Sequence, residues 1–396
     1  MISLETICSY RNEKASAASI TTEDLYVSTE SMGPNRGGVS RAASVPSEGK
    51  VSCFRKGDTL VSNIRPYFKK IWKADLDGYC SNDVLVFQPG QRCSADYLCW
   101  LLCDDAFFDY VMATSKGTKM PRGDKSAIMS YAIPSNSEMA QRNITSILNP
   151  IQAKIEMNAK LNGYLEELCD ALFLDYLERA DSSWHEGTLE ELAEVKYGKD
   201  HKKLADGPYP VYGSGGFMRS AEKSLFSGES VLIPRKGSLN NVMYVNGAFW
   251  TVDTMFFTVP RIAGAAKFLY QYVKRLDLAS MNSGSAVPSM TISILNALSL
   301  PVPPRDSLLS FNAKLQSMYD AVRANNLENR RLESLRDSLL PKLMAGEIDV
   351  SKIDLTQLNS HLAANLSNWH WHRVVNRHIR QVETEAWLCA PWLFCH

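Results

Sequence analysis

Two segments of this chain repeat each other at a constant distance. The stretch from Gly284 to Leu340 can be laid without a gap over the stretch from Gly117 to Phe173, each residue 167 positions behind its partner. Pro121 then lies over Pro288, Ser126 over Ser293, Pro134 over Pro301, Leu148 over Leu315, Leu165 over Leu332, Asp170 over Asp337 and Leu172 over Leu339. Upstream the match is looser, with Gly57 opposite Gly228, Arg65 opposite Arg235, Asp83 opposite Asp253 and Phe87 opposite Phe257, at an offset of 170 or 171. An ungapped match across a loop and a long helical pattern means one structural unit built twice, and so a pseudo-two-fold fold. The order along the chain is globular part, helix, globular part, helix.

With 396 residues, two globular domains and two connecting helices fit the length. Lys and Arg number 43 and Asp and Glu 43, so a polyanion would have to be met by local patches rather than by a global field. The nine cysteines include no C-x-x-C pair, and the start MISLETICSYRNEK lacks a basic-then-apolar leader, which points to reduced thiols in a cytoplasmic protein. No apolar run approaches the ~20 residues of a membrane span, so a soluble chain is expected.

Between Pro134 and Arg179, Ile144, Leu148, Ile151, Ile155, Leu165 and Leu172 fall on alternating steps of four and three, the seam of a coiled coil. The repeat places Phe311, Leu315, Met318, Val322, Leu332 and Leu339 in register on the second helix. Both seams are interrupted at matching places, by Asn158 and Asn162 and by Asn325 and Asn329. Asparagine on such a seam costs stability and fixes register. An antiparallel pair with the asparagines facing sets Asn158 against Asn329, Asn162 against Asn325, Leu165 against Val322, Leu172 against Leu315, Ile155 against Leu332 and Leu148 against Leu339. It also sets Ile151 beside Arg336, whose head group is expected to turn sideways to water. Each helix of roughly 40 residues would span about 60 Å. An ordinary amphipathic bundle is the plainer reading of one apolar stripe; the duplicated length and asparagines favour a spacer.

Each globular half reads as α+β. The first shows strands at Cys53–Phe54, Thr59–Ser62 and Val84–Phe87 and a helix from Ala95 to Met112; the second shows strands at Ser230–Ile233, Val242–Val245 and Met255–Val259 and a helix from Ala265 to Leu276. Cations gather on the intervening loops: Arg65, Lys69, Lys70 and Lys73 interleaved with Tyr67, Phe68 and Trp72, then Lys116, Lys119 and Arg122. The second half has Lys196, Lys199, His201, Lys202 and Lys203, the turn Tyr212–Gly216, and Arg235 with Lys236. Loop cations on Gly-rich backbone suit phosphates, and Arg, Asn, Ser and Tyr can reach base edges. Such clusters are more often plain solvated surface, but their recurrence at equivalent loops favours a nucleic-acid role.

The run Ser299-Leu-Pro-Val-Pro-Pro304, the long helix after it and its end Leu335-Arg-Asp-Ser-Leu-Leu-Pro-Lys-Leu-Met-Ala-Gly-Glu-Ile348 resemble the conserved-region helices of type I restriction-modification specificity subunits. So do the openings Ser3-Leu-Glu-Thr-Ile7 and Thr188-Leu-Glu-Glu-Leu192 and the segment Tyr26-Val-Ser-Thr-Glu30. The likeness covers about residues 1 to 350. It implies an α+β fold of two similar α/β target-recognition domains separated by two long helices that form an antiparallel coiled coil. The expected divisions are a recognition domain at 1–135, a spacer helix at 136–180, a second recognition domain at 181–302, a second spacer helix at 303–348 and a tail at 349–396. Each domain would read half of a split site in double-stranded DNA, and the spacer would set the gap. The resemblance further implies two methyltransferase subunits that methylate adenine with S-adenosylmethionine and, for cleavage, ATP-driven restriction subunits; S-adenosylmethionine, ATP and Mg are expected on those partners, with no cofactor in this chain. Base-contacting residues vary in this family and follow here from chemistry alone: Arg65, Lys69, Lys119 and Arg122 for one half-site, and Lys202, Tyr212, Ser214, Arg235 and Lys236 for the other.

Catalytic signatures do not pass. Pro303-Pro304 is followed by Arg305 and not by the aromatic residue an adenine methyltransferase needs, and Gly213-Ser-Gly-Gly216 lacks G-x-G-x-x-G spacing. There is no G-x-x-x-x-G-K-[ST] loop, and Glu194-Val-Lys196 lacks the upstream Pro-Asp of nucleases. The tail holds five of the seven histidines; His370, His372, His378, Cys389 and Cys395 are zinc-ligand types without the spacing of a closed site, so no metal is expected. A non-catalytic recognition subunit is the leading reading. A self-sufficient DNA-modifying enzyme and a coiled-coil protein adaptor are the alternatives.

Overall fold

The computed structural model describes residues 1–281 and 289–350. The described residues form two compact α+β units, one of Met1–Glu156 with the described residues from Asn329 onward, the other within Met157–Glu328. The tail residues weighed above as zinc ligands lie outside the described residues.

In the first unit, Ile2–Ser3 pairs antiparallel with Ala132–Ile133, and the turn Leu4–Thr6 leads into the strand Cys8–Tyr10. That strand starts a four-stranded antiparallel sheet in the order Cys8–Tyr10, Val84–Pro89, Thr59–Ser62, Ile71–Lys73. A second sheet runs Lys14–Ser16, Lys50–Phe54, Gly78–Cys80, Tyr26–Val27, its last pair parallel.

The second unit follows the same plan. His185–Thr188 pairs with Ser299–Val302, and the helical turn Leu189–Leu192 is closed by a capping box between Thr188 and Glu191. Its six-stranded sheet begins Ala193–Tyr197, Met255–Pro260, Phe226–Pro234, Met243–Thr251, the order of the first unit, and continues with Tyr209–Gly213 and Gly216–Ala221. One difference has a local cause. Phe226–Pro234 and Met243–Thr251 stay paired where Gly228 faces Gly247, at φ of 146° and 124°. Both values are open to glycine alone without strain. Gly57, the repeat partner of Gly228, sits at φ 92° in the turn Lys56-Gly-Asp58, which ends Lys50–Phe54 before Thr59–Ser62 begins. The single ribbon of one unit is thus cut into two sheets in the other.

The helix expected from Ala95 to Met112 is two helices, Ala95–Cys103 and Asp105–Ala113. Asp104 breaks it by taking extended backbone and accepting from the Ala106 N–H at 3.1 Å, so it caps the second helix.

The two long helices are Glu138–Glu178 and Arg305–Met344. Within each unit they run antiparallel. In the first, Arg336 donates to Gln152 Oε1 at 2.9 Å and Asn329 to the Ile155 carbonyl at 3.2 Å, while Leu148 shares a core with Leu339 and Leu340. In the second, Asn325 donates to Asn162 Oδ1 at 2.8 Å, Asn162 to Asn326 at 2.9 Å and Asn158 to Glu328 at 2.7 Å. Further along, the Cys169 thiol meets the Met318 sulfur at 3.5 Å, Leu172 packs with Leu315, and Tyr176 stacks on Phe311 at 4.2 Å. Asn162 and Asn325 therefore face each other as the seam requires, and both are buried. Arg336 corrects an expectation: only 6% exposed, it does not turn to water. Its guanidinium stays inside because Gln152 accepts one N–H and the Asp337 carboxylate another at 2.9 Å.

A polar clamp ties each sheet to its long helix. Lys267, fully buried, donates to Glu229, to Asn312 Oδ1 at 2.9 Å and to Gln316 Oε1 at 2.8 Å, with the Tyr244 hydroxyl also on Glu229 at 2.6 Å. Burial and that donation to a carboxylate push the Tyr244 pKa upward. The repeat partner of Lys267 is Asp96, and that of Gln316 is Asn149. Asp96 accepts from Asn149 at 2.9 Å and pairs with Lys73, while the Trp100 indole donates to Asn149 at 2.7 Å. The position is kept and the sign of the charge is reversed.

Candidate nucleic-acid interface

In the first unit the loop after Thr59–Ser62 is held in an unusual shape. Arg65 and Lys69 both adopt left-handed backbone, at φ 50° and 49°, on either side of the short 3-10 turn Pro66–Phe68. Such conformations cost non-glycine residues energy and persist only where the surroundings impose them. Here the Arg65 N–H donates to the Pro121 carbonyl at 2.9 Å, the Lys69 N–H to Pro66 at 2.8 Å, and the Phe68 carbonyl accepts from Asn35 at 2.8 Å. The Pro121 contact comes from a neighbouring hairpin, in which Lys116 and Arg122 exchange both backbone hydrogen bonds at 2.9 Å around a Gly117 of φ 90°. Gly123 packs so closely that a Cβ there would lie 2.8 Å from Asn63 Oδ1 and 2.9 Å from Val111 and Ile128.

The two loops bring Arg65, Lys119 and Arg122 to one surface, but not equally available. Arg65 and Lys119 are exposed and make no ion pair among the described residues. Arg122 leans on Asp83 at 3.3 Å while still half exposed. Lys69 is committed to Asp105 at 2.8 Å, a carboxylate it shares with Arg36 at 2.6 Å. The Asp105 pKa is lowered: burial pushes it up, and these two cations outweigh that. Of the other cations on these loops, Lys116 pairs with Asp124 at 2.5 Å, and Lys70 donates to the Thr29 carbonyl at 2.6 Å. Trp72 packs inward, edge-on to Phe54 at 5.7 Å.

In the second unit the candidate residues converge at one end of the six-stranded sheet. The hairpin of Tyr209–Gly213 and Gly216–Ala221 turns at Ser214, whose carbonyl accepts from Asn241 Nδ2 at 2.7 Å. Gly237, at φ 85°, backs onto it so closely that a Cβ would meet Ser214 Oγ at 2.8 Å. Arg235 and Lys236 both donate their backbone N–H to the Thr254 carbonyl, at 2.8 and 3.3 Å. The Arg235 guanidinium lies 5.3 Å from the centre of the Tyr197 ring and donates to the Asp253 carbonyl at 3.4 Å. Lys236 bridges to Ser289, the repeat partner of Arg122, much as Ile64 bridges to Arg122 in the first unit.

Ser214, Arg235 and Lys236 are thus brought together, with Tyr197, Asn241 and Asp253 as neighbours that sequence reasoning missed. Tyr197 could have been found only from its spacing to the turn, since its role is to lie beneath an arginine 38 positions later. Tyr212 is half-buried, its ring against Phe217 and Phe249, both at 6.4 Å, so it packs the neck of the hairpin. Lys202 is exposed on the loop after Ala193–Tyr197, with its own N–H on Asp200 at 3.1 Å; no contact among the described residues joins it to the Arg235 cluster.

No group of three or more His, Cys, Asp or Glu is placed to hold a metal among the described residues, and no described helix is long and apolar enough to cross a membrane. The described cysteines are free, and burial pushes Cys8, Cys80, Cys93 and Cys169 up to about 12. The loops can grip phosphates and offer donors to base edges.

Comparison with known proteins agrees with this architecture. Residues 181–335 match the family described as the type I restriction modification DNA specificity domain. The chain is 22% identical over 420 aligned positions to the type I restriction enzyme HindI specificity subunit of Haemophilus influenzae, covering 78% of this chain and 90% of that one. It is 21% identical to the MjaIX specificity subunit of Methanocaldococcus jannaschii, covering 67% of this chain and 72% of that one. Among solved structures, the type I restriction-modification S subunit from M. genitalium shares the fold at a TM-score of 0.52 and 17% identity, over 86% of this chain and 95% of that one.

Proposed function

We propose that this chain is the DNA sequence-specificity subunit of a type I restriction-modification complex. Recognition domains at 1–135 and 181–302 each read one half of a bipartite site in double-stranded DNA, and the helices at 136–180 and 303–348, about 60 Å long, set the gap between the halves. The observation that carries this reading is the doubled construction: one strand order, followed each time by a long helix, with a cationic loop after the same strand in each copy. Two copies of one reader on a paired spacer suit a split target and two identical partner subunits related by a pseudo-two-fold axis.

The chain supplies the address and no chemistry. Two methyltransferase subunits bind S-adenosylmethionine and methylate adenine; restriction subunits, where cleavage occurs, use ATP and Mg. The complex works in the cytoplasm. Cationic loops held by backbone hydrogen bonds meet phosphates, and the exposed side chains between them reach base edges.

The purified chain tested for adenine methylation alone, and again with its methyltransferase partner, checks this reading. Methylation at a fixed two-part motif only in the mixture is expected. Methyl transfer or cleavage by the chain alone would establish a self-sufficient enzyme instead.

A further inference from the structure

We propose that Tyr67 and Phe68 form an apolar wedge that enters the base stack of the first half-site and kinks the duplex, so that this domain selects sequence partly by how readily one base step opens. The inference rests on the reading of the chain as a DNA-recognition subunit and adds to it a mode of readout.

The two rings are 48% and 39% exposed and belong to no hydrophobic core of the unit. They touch at a tilt of 50°, centroids 4.6 Å apart, and the Lys70 ammonium sits 5.7 Å from the Phe68 ring. A wedge must be stiff, because a mobile loop would yield before the stack does. This one is stiff: the left-handed residues Arg65 and Lys69 bracket it, the Phe68 N–H donates to Arg65 at 3.0 Å, Asn35 holds the Phe68 carbonyl, and Lys69 is pinned to Asp105.

The surroundings point to the occupant. Arg65 adjoins the rings, and the hairpin that holds the Arg65 backbone carries Lys119, Arg122 and the exposed apolar Met120. Large apolar side chains beside the exposed cations Arg65 and Lys119 match a ligand with an apolar stacked interior and an anionic rim, which is a nucleic-acid duplex. Proteins that kink DNA insert such side chains between base steps and hold the flanking phosphates with cations. The second unit has no aromatic pair at this place: after the matching bridge at Lys236 the chain reads Gly237-Ser238-Leu239-Asn240, and Leu239 is buried. The wedge proposed here concerns the first half-site.

The test uses the full chain assembled with its methyltransferase subunits. The probe is a duplex carrying the motif found by mapping methylated adenines, with 2-aminopurine or pyrrolocytosine placed at successive positions. Beyond the target adenines, which flip in any such complex, binding should raise fluorescence at one step of the first half-site. The double variant Y67A/F68A should lose that signal and bind the duplex roughly tenfold or more weakly, the scale of losing an aromatic stack on a base. Y67F should keep both, and the thermal midpoint should not move.

A wild-type complex that shows no such step overturns the wedge without any variant. So does a double variant that binds and unstacks DNA normally. A double variant that keeps its DNA affinity but no longer recruits the methyltransferase assigns the rings to a protein interface and also overturns it. If the wild-type complex shows no sequence preference at all, it is the recognition function that fails.

Discussion

Lys267 offers the sharpest test of how a globular half is fixed to its helix. Replacing it with methionine keeps the length and apolar stem of a fully buried side chain and removes only the ammonium. Glu229 then keeps the Tyr244 hydroxyl at 2.6 Å but loses its cation, and the side-chain carbonyls of Asn312 and Gln316 lose their donor. Removing one partner of a buried ion pair costs about 3–5 kcal/mol. Glu229 is 26% exposed and can recruit water, which places the cost near the lower end, about 3 kcal/mol. At about 1.4 kcal/mol per factor of ten, the helix Ala265–Val273 should open on the order of 100 times more often. Amide hydrogen exchange reads this directly, with Ala265–Val273 and the amides around Asn312 and Gln316 exchanging faster while Ala95–Cys103 in the other unit serves as an unchanged control. The double variant K267M/E229Q should recover part of the loss, because no uncompensated charge remains. Exchange of K267M indistinguishable from wild type would refute the clamp.

Three further outcomes follow from particular contacts. Arg235→Ala should weaken DNA binding by about 1–3 kcal/mol if the guanidinium reaches a base in bidentate fashion; unchanged affinity in a titration at fixed salt would remove it from the interface. A double-mutant cycle on Asn162 and Asn325, each changed to alanine, should return a coupling of about 0.5–1.5 kcal/mol in urea unfolding, as expected for a hydrogen bond inside the seam. No coupling would mean that the two do not set register. On Asp96, burial raises the pKa, but Lys73 and Asn149 outweigh it and leave the carboxyl below its ordinary 3.8. A carboxyl lowered in the folded state contributes stability above its unfolded value that is lost as pH falls through the folded one. Acidification below about pH 4 should therefore loosen the helix at Trp100, whose indole holds the same Asn149, and D96N should flatten that part of the Trp100 emission profile.

The repeat made much of the fold legible because its evidence is local. The seam spacing, the matched asparagines and the alternating strands all lie in short windows, and Asn162 does meet Asn325 as the seam demands. What stayed hidden depends on residues far apart in sequence. Lys69 reads as a free loop cation until Asp105 folds against it, and Lys116 likewise until Asp124 does. Arg336 looks misplaced on an apolar seam until Gln152 of the opposite helix supplies an acceptor. Lys267 reads as one polar residue in an amphipathic helix, and nothing near it in sequence announces Glu229, Asn312 and Gln316. The helix break at Asp104 was readable in principle, since an aspartate with two helical residues after it is an N-cap pattern, but the continuous apolar face from Tyr97 to Phe108 masked it.

The central claim is that each globular half reads its own half of a split DNA site. Residues 181–302 are replaced by the corresponding segment of the Haemophilus influenzae relative, the hybrid is expressed with the methyltransferase subunits proposed for it, and methylated adenines are mapped across the genome by single-molecule sequencing. The account predicts a motif changed in one half, with the other half and the gap unchanged. A motif that changes in both halves, changes its gap, or does not change at all would contradict it.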